Sequence, residues 1–226
     1  MLRKIPEKSE AKYLGVILDK KLNMEAHCNS LLRKMASGIK TIYAIRDHLT
    51  IKANIVIMKS LVTAHLMHSI TLLTNISQKY KETLDAQLSW ALKACCHEHK
   101  LASTTALRFK HKLLPFTGLL NQRSLLYFWK LERGLLTSFQ GNQFPLRTKS
   151  SPRGQLSIDI PRIGTNIIKE CFISHSVALH NLHTKRINLI KNENDAKKHA
   201  LTSSGKNSRR NPQTGSSTMH GKIPES

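Results

Sequence analysis

Near the start of the chain the apolar positions change their spacing, from alternate residues to every third or fourth. Residues 12–22, KYLGVILDKKL, set aromatic and β-branched side chains around Gly15 ahead of a polar DKK group, the pattern of a short strand or hairpin. Asn23 can cap a helix in which Cys28, Leu31, Leu32, Met35, Ile39 and Ile42 recur at three and four, with Arg33, Lys34 and Lys40 off that stripe. After the polar break RDHLT, Thr50 caps a second helix with Ile51, Ile55, Met58, Val62, Leu66, Ile70 and Leu73 inward and Lys52 and Lys59 on its outer face. A third, from Gln78 to His97, lines up Leu84, Leu88, Ala91, Leu92 and Cys95, with Trp90 flanking them. Ser103 and Thr104 open a fourth that stops before Pro115, because proline cannot continue a helix. A fifth, from Gly118 to about Leu136, gathers Leu119, Leu126, Tyr127, Trp129 and Leu131 into the densest aromatic cluster.

Beyond Gln140 the pattern loosens into GNQFPLRTKSSPRG, which reads as a linker. LSIDIPRIG then alternates like a short extended element, with Pro161 confining it to an edge, and Phe172, Val177 and Leu179 suggest one more weak helix. From Asn192 onward apolar content nearly vanishes, so disorder is expected. The predicted fold is mainly α: a short N-terminal β-hairpin, a thumb-like helical bundle, a second small helical region and a disordered tail. The corresponding divisions are an extension (1–11), the hairpin (12–22), the bundle (23–99), a basic helical region (100–139), a loosely structured region (140–191) and a basic tail (192–226).

Charge changes the picture. Lys and Arg number 36 against 14 Asp and Glu, a formal +22, and the tail carries only six of those bases with three acids, leaving +19 in residues 1–191. Between Lys100 and Arg153, ten bases (Lys100, Arg108, Lys110, Lys112, Arg123, Lys130, Arg133, Arg147, Lys149, Arg153) face the single acid Glu132. Such a field attracts polyanions, and a Lys or Arg set against a phosphate releases condensed counterions. A membrane surface is the weaker polyanion candidate. The apolar run from Ile51 to Ile76 is interrupted by Lys52, Lys59, His65, His68 and Asn75, and fits a buried helix better than a membrane span. No h-region follows the basic N-terminus, and four scattered cysteines (Cys28, Cys95, Cys96, Cys171) make no disulfide framework. An intracellular site, cytoplasm or nucleus, is therefore expected.

Catalytic constellations are missing from the pattern. The five aspartates (Asp19, Asp47, Asp85, Asp159, Asp195) include no adjacent pair for two-metal phosphoryl transfer, and no GxxxxGK[ST], GxGxxG, HExxH or GxSxG occurs. The run Cys95, Cys96, His97, Glu98, His99, with His111 beyond, holds zinc-ligating types, but adjacent helical cysteines point about 100° apart, poor for one tetrahedral site. Cys95 with a polar helix end is the better reading, and no cofactor is expected.

The stretch from Lys12 to Leu49, KYLGVILDKKLNMEAHCNSLLRKMASGIKTIYAIRDHL, closely resembles the segment just after the palm in reverse transcriptases of non-LTR (LINE-type, jockey-like) retrotransposons. Lys12, Tyr13, Leu14, Gly15, Leu18 and Asp19 match that family's KYLG-hydrophobe-LD motif position by position. The helix from Ile51 to Ile76 looks like the family's next thumb helix, Leu84 to Cys96 like its Leu- and Ala-rich successor, and LLPFTGLLNQRSLLYFWKL like its LP-plus-basic-helix element. LSIDIPRIGT and FISHSVALHNL resemble the degenerate end of such frames. The resemblance runs from residue 12 to about 190 and is weaker in its second half.

It implies a thumb that grips a template-primer duplex. The family's polymerase aspartates, which would hold Mg, lie upstream of KYLG, so no catalysis is expected from this chain alone. The phosphate contacts implied are Lys20, Lys21, Arg33, Lys34 and Lys40, with Lys52 and Lys59 alongside, and the partner is RNA or an RNA/DNA hybrid bound without sequence preference. Three rivals stand beside this reading. One is a small host protein that binds RNA or a protein through Tyr127, Phe128 and Trp129, the second an enzyme using a zinc site at Cys95 to His99, and the third a decayed retroelement product without function.

Overall fold

A computed structural model describes residues 8–133, 135, 148–150, 156–158 and 172–187. Strands β1 (Glu10–Tyr13) and β2 (Val16–Asp19) pair antiparallel, Tyr13 opposite Val16, so that Leu14 and Gly15 alone make the turn. Both have positive φ, 45° and 84°, the signature of a type I′ hairpin, which right-handed strand twist favours. Glycine adopts that geometry freely. Leucine does so at a cost of roughly 1 kcal/mol.

Helix α1 (Glu25–Ile45) buries Cys28, Leu31, Met35, Gly38, Ile39 and Ile42, the expected stripe joined by a glycine. Its first residue is not held as the sequence suggests. The cap position belongs to Met24, in a left-handed conformation, while the Asn23 side chain accepts from the Glu25 amide at 3.1 Å in an Asx turn one residue earlier. A short 3₁₀ turn (Arg46–His48) leads to α2 (Ile51–Met58), capped by Thr50, whose hydroxyl accepts from the Ala53 amide.

The single helix expected over the Ile51 stretch changes character along its length and kinks near its end, at Leu73 (φ −90°, ψ 17°). α2 passes into a π turn (Lys59–Thr63), then α3 (Ala64–Ser69) and a 3₁₀ segment (Ile70–Asn75). The reason lies in spacing: Met58, Val62, Leu66 and Ile70 are each four apart, and in an α-helix each step of four rotates the stripe by about 40°. A π turn takes up about one extra residue and returns Leu66 and Ile70 to the core, where both are buried. Ile51, expected inward, is 39% exposed at the start of its helix. By length and composition, Ile51–Asn75 is the one segment among the described residues able to cross a membrane, at mean hydropathy 1.4. Here its apolar stripe packs on α1 and on α4 (Gln78–Cys95).

Helix α5 (Thr104–His111) is capped by Ser103 as anticipated, and α6 (Phe116–Glu132) starts directly after Pro115. One buried cluster runs from Val16 to Leu120, so hairpin, α1 to α5 and the first turns of α6 share a core that crosses the division at residue 99. Asp85 of α4 stitches this region together. Its Oδ1 accepts from Arg108 Nη2 at 2.9 Å and from the Phe116 amide at 2.7 Å, satisfying the exposed N-terminus of α6 with a carboxylate from another helix.

The second half of α6 packs instead on α7 (Phe172–Ile187), through Leu125, Leu126, Trp129 and Leu179 and through Phe128 and Val177. β3 (Thr148–Ser150), inside the expected linker, pairs antiparallel with β4 (Leu156–Ile158), which falls in the stretch expected to be extended. The expected tail, 192–226, and most of the N-terminal extension lie outside the described residues.

Candidate nucleic-acid interface

The motif KYLGVILD now has a physical account. Gly15 permits the turn, Val16 is buried, and half-buried Leu18 packs against the core. Asp19 closes the unit: its Oδ1 accepts from the amides of Lys21 (3.0 Å) and Asn23 (3.1 Å) and its Oδ2 from Met24 (2.7 Å). Those three bonds fold the chain from strand into helix and orient Lys20 and Lys21 on the exposed bend. Asp19 is thus a structural carboxylate. Lys12, Tyr13 and Leu14 stand exposed at the hairpin tip, which His68 of α3 holds through a 3.0 Å contact with the Leu14 carbonyl.

Beneath the hairpin sits His27. The Ile17 amide donates to its Nδ1 at 3.4 Å, which leaves the proton on Nε2 to bond the Ser69 hydroxyl at 2.8 Å. Burial first, then the nearby positive charge of Lys34 and His68, pushes its pKa below the usual 6.5. A neutral imidazole therefore rivets β2 and α3 to α1.

All seven candidate phosphate contacts are exposed: Lys20, Lys21, Arg33, Lys34, Lys40, Lys52 and Lys59. They are not one row. Arg33 and Lys40, seven apart, share a stripe of α1 opposite its buried face, while Lys34 lies about 100° around, on the flank of His27. Lys52 of α2 and Lys59, which opens the π turn, form a second stripe, again seven apart, and Lys20 and Lys21 sit at the bend. The aspartates of the same segment are engaged elsewhere. Asp19 serves backbone amides, and Asp47 lies 3.5 Å from Arg46 and 3.2 Å from His97.

A side chain overlooked in the sequence joins the α1 stripe. Tyr43, one turn beyond Lys40, is 49% exposed with the Arg46 guanidinium 4.7 Å from its ring centroid. The only signal for it was an aromatic one position past a buried isoleucine. Conversely, two of the three aromatics proposed as a recognition surface are core: Phe128 and Trp129 are buried, Phe128 against His180 with ring centroids 5.1 Å apart, while Tyr127 is partly exposed. Helix α7 covers the face that carries Phe128 and Trp129. Trp90 and Phe109 are exposed instead.

The bases of the region after Lys100 are dispersed in role. Arg108 is bound to Asp85 and the Ser89 hydroxyl, and the Arg133 guanidinium lies 4.7 Å from the Trp129 ring centroid. Lys100, Lys110, Lys112 and Arg123 are exposed, while Arg147 and Arg153 lie outside the described residues.

At the tempting Cys-His run the two thiols diverge. Cys95 donates to the Asn54 carbonyl at 3.3 Å, and burial pushes its pKa up to about 12. Cys96 faces His111 Nε2 at 3.5 Å, its pKa also raised by burial, so the contact joins a neutral thiol to an imidazole. His99 turns its Nδ1 to the Leu101 amide. Among the described residues no group of three or more His, Cys, Asp or Glu is placed to hold a metal ion. No family model, curated protein or solved structure matches the chain.

Proposed function

We infer that the chain is a binding module for nucleic-acid duplex, RNA/DNA hybrid foremost, that grips phosphates through its hairpin bend, α1 and α2 and performs no chemistry of its own. On this reading the hairpin and the helices after it correspond to the thumb of a non-LTR retrotransposon polymerase. The observation that carries it is the exposure of all seven predicted cations on one continuous segment whose aspartates are occupied elsewhere. Interfaces of this kind position the duplex without reading bases, which suits lysines and arginines dispersed over stripes rather than focused in a pocket.

The test is fluorescence anisotropy with a labelled RNA/DNA hybrid at rising salt. Seven contacts predict a log-log slope of about −5 to −6, a loss of roughly 10³-fold between 50 and 200 mM. Arg33→Glu with Lys40→Glu should flatten that slope by about 1.5 to 2. Affinity indifferent to salt would sink the reading.

A further inference from the structure

A groove of about 460 Å³ opens between α2 with its π turn, α3, α4, α5 and α6. Its floor is aliphatic: Met58, Met67, Leu88, Leu92, Leu113 and Leu119. Lys59 from the π turn, Lys112 at the end of α5 and Arg123 of α6 stand on its rim, all exposed, while Arg108 beside them is tied to Asp85. No carboxylate lines it among the described residues.

We propose that this groove docks an acidic, amphipathic helix from a partner protein. Three observations select that occupant. The floor carries no aromatic ring, so a nucleobase finds nothing to stack on, whereas methionine and leucine adapt to the leucine or phenylalanine anchors of a helix. The groove opens to solvent between its exposed rim residues, and a helix with one apolar stripe fills such a trough while leaving its polar face in water. The rim cations come from three separate elements and surround the mouth, matching carboxylates on both flanks of an apolar stripe better than one headgroup. Like charge disfavours the alternatives within the chain: residues 192–226 carry six bases against three acids, and a second copy brings another +22.

The experiment uses the full chain and a fluorescein-labelled peptide of roughly 18 residues, five helical turns, with leucine and phenylalanine at positions i, i+3, i+4 and i+7 and glutamate elsewhere. A scrambled peptide of identical composition and one with glutamine for glutamate serve as controls. The periodic acidic peptide should bind about tenfold or more tightly than either. Met67→Trp, which fills the floor from a partly buried position, should abolish peptide binding while leaving hybrid binding and its salt slope unchanged. Lys112→Glu with Arg123→Glu, both on the surface, should weaken the peptide by a similar factor if Met67→Trp disturbs folding. Equal binding of the scrambled peptide would reduce the effect to bulk charge and overturn the proposal. So would peptide binding untouched by both sets of variants, or one-for-one displacement by dodecanoate at equal concentration, which would make the groove a small-anion site. Because hybrid affinity is read in the same proteins, failure here and failure of the duplex-binding reading are separate outcomes.

Discussion

Replacing Gly38 by alanine sets two effects of opposite sign against each other. In an exposed helix the change gains about 1 kcal/mol, since alanine gives up less backbone entropy than glycine. Gly38, however, is buried where α1 crosses the π turn, and a Cβ there would stand 2.7 Å from the Leu61 carbonyl oxygen, 3.2 Å from its carbon and 3.1 Å from Val62 Cγ2. The nearest of these is backbone, anchored by helix on both sides, and cannot swing away as a side-chain tip would. The two elements must part by several tenths of an ångström, which loosens Met35, Ile39 and Ile42 against their neighbours. Overpacking of this kind costs about 1–3 kcal/mol, and gaps of 0.5–1 Å forfeit about a quarter to a half of each contact's dispersion energy. With strain at the upper end, the net is a destabilisation of about 1–2 kcal/mol, or a fall of about 2–8 °C in Tm. Thermal unfolding followed by circular dichroism measures it, with Ser37→Ala on the exposed side of α1 as the propensity control. A Gly38→Ala protein that melts as high as the control would show that the close crossing does not exist.

Three further outcomes are expected. Asp19→Ala should cost about 2 kcal/mol by urea denaturation, since three backbone amides lose a charged acceptor, and Asp19→Asn should recover only part because its amide nitrogen opposes one of those donors; a wild-type midpoint in both would remove Asp19 as the strand-to-helix clasp. Stability should decline from pH 7.5 to 5.5, because the pKa of His27 is lowered in the fold and the unfolded chain therefore binds more protons. Its contribution is complete above 6.5 and is lost as pH falls toward the folded value, by at most about 1.4 kcal/mol per pH unit, with His175 adding in the same sense. His27→Gln should flatten that decline in urea midpoints, and an unchanged profile would contradict the neutral buried imidazole. Tyr43→Ala should leave the salt slope of hybrid binding unchanged, since it removes no charge; a changed slope would show that Tyr43 helps to place the phosphate contacts around it.

What the sequence made legible was local. The stripe from Cys28 to Ile42, the caps at Thr50 and Ser103 and the stop at Pro115 all follow from residues within a few positions of one another, and each reappears in the fold. What it concealed depends on distant partners. Asn54 sits fully buried in an apolar helix because its amide reaches the Arg46 carbonyl at 3.0 Å and the Cys95 carbonyl at 3.5 Å, elements that no periodicity relates. Asp85 looks like a surface carboxylate until Arg108 and the start of α6 arrive beside it. Trp129 and Phe128 read as a recognition patch because nothing in their own helix shows that α7 returns to cover them. For the interface, exposure of the lysines was readable from their places off the stripe. The angle between the α1 and α2 stripes was not, since it depends on how two helices cross at Gly38.

The π turn at Lys59–Thr63 can also be regarded as an insertion held in place. Remove one residue from it and the turn can close into plain α-helix with the downstream register kept, whereas one more residue would turn everything downstream by about 100°, carrying Leu66 and Ile70 off the core and pulling His68 away from the hairpin tip. Length in this stretch is therefore under tighter constraint than composition. A leucine can become a methionine there with little consequence, whereas a three-base insertion in the gene would undo the attachment of the hairpin and the basic rim of the groove at a single stroke.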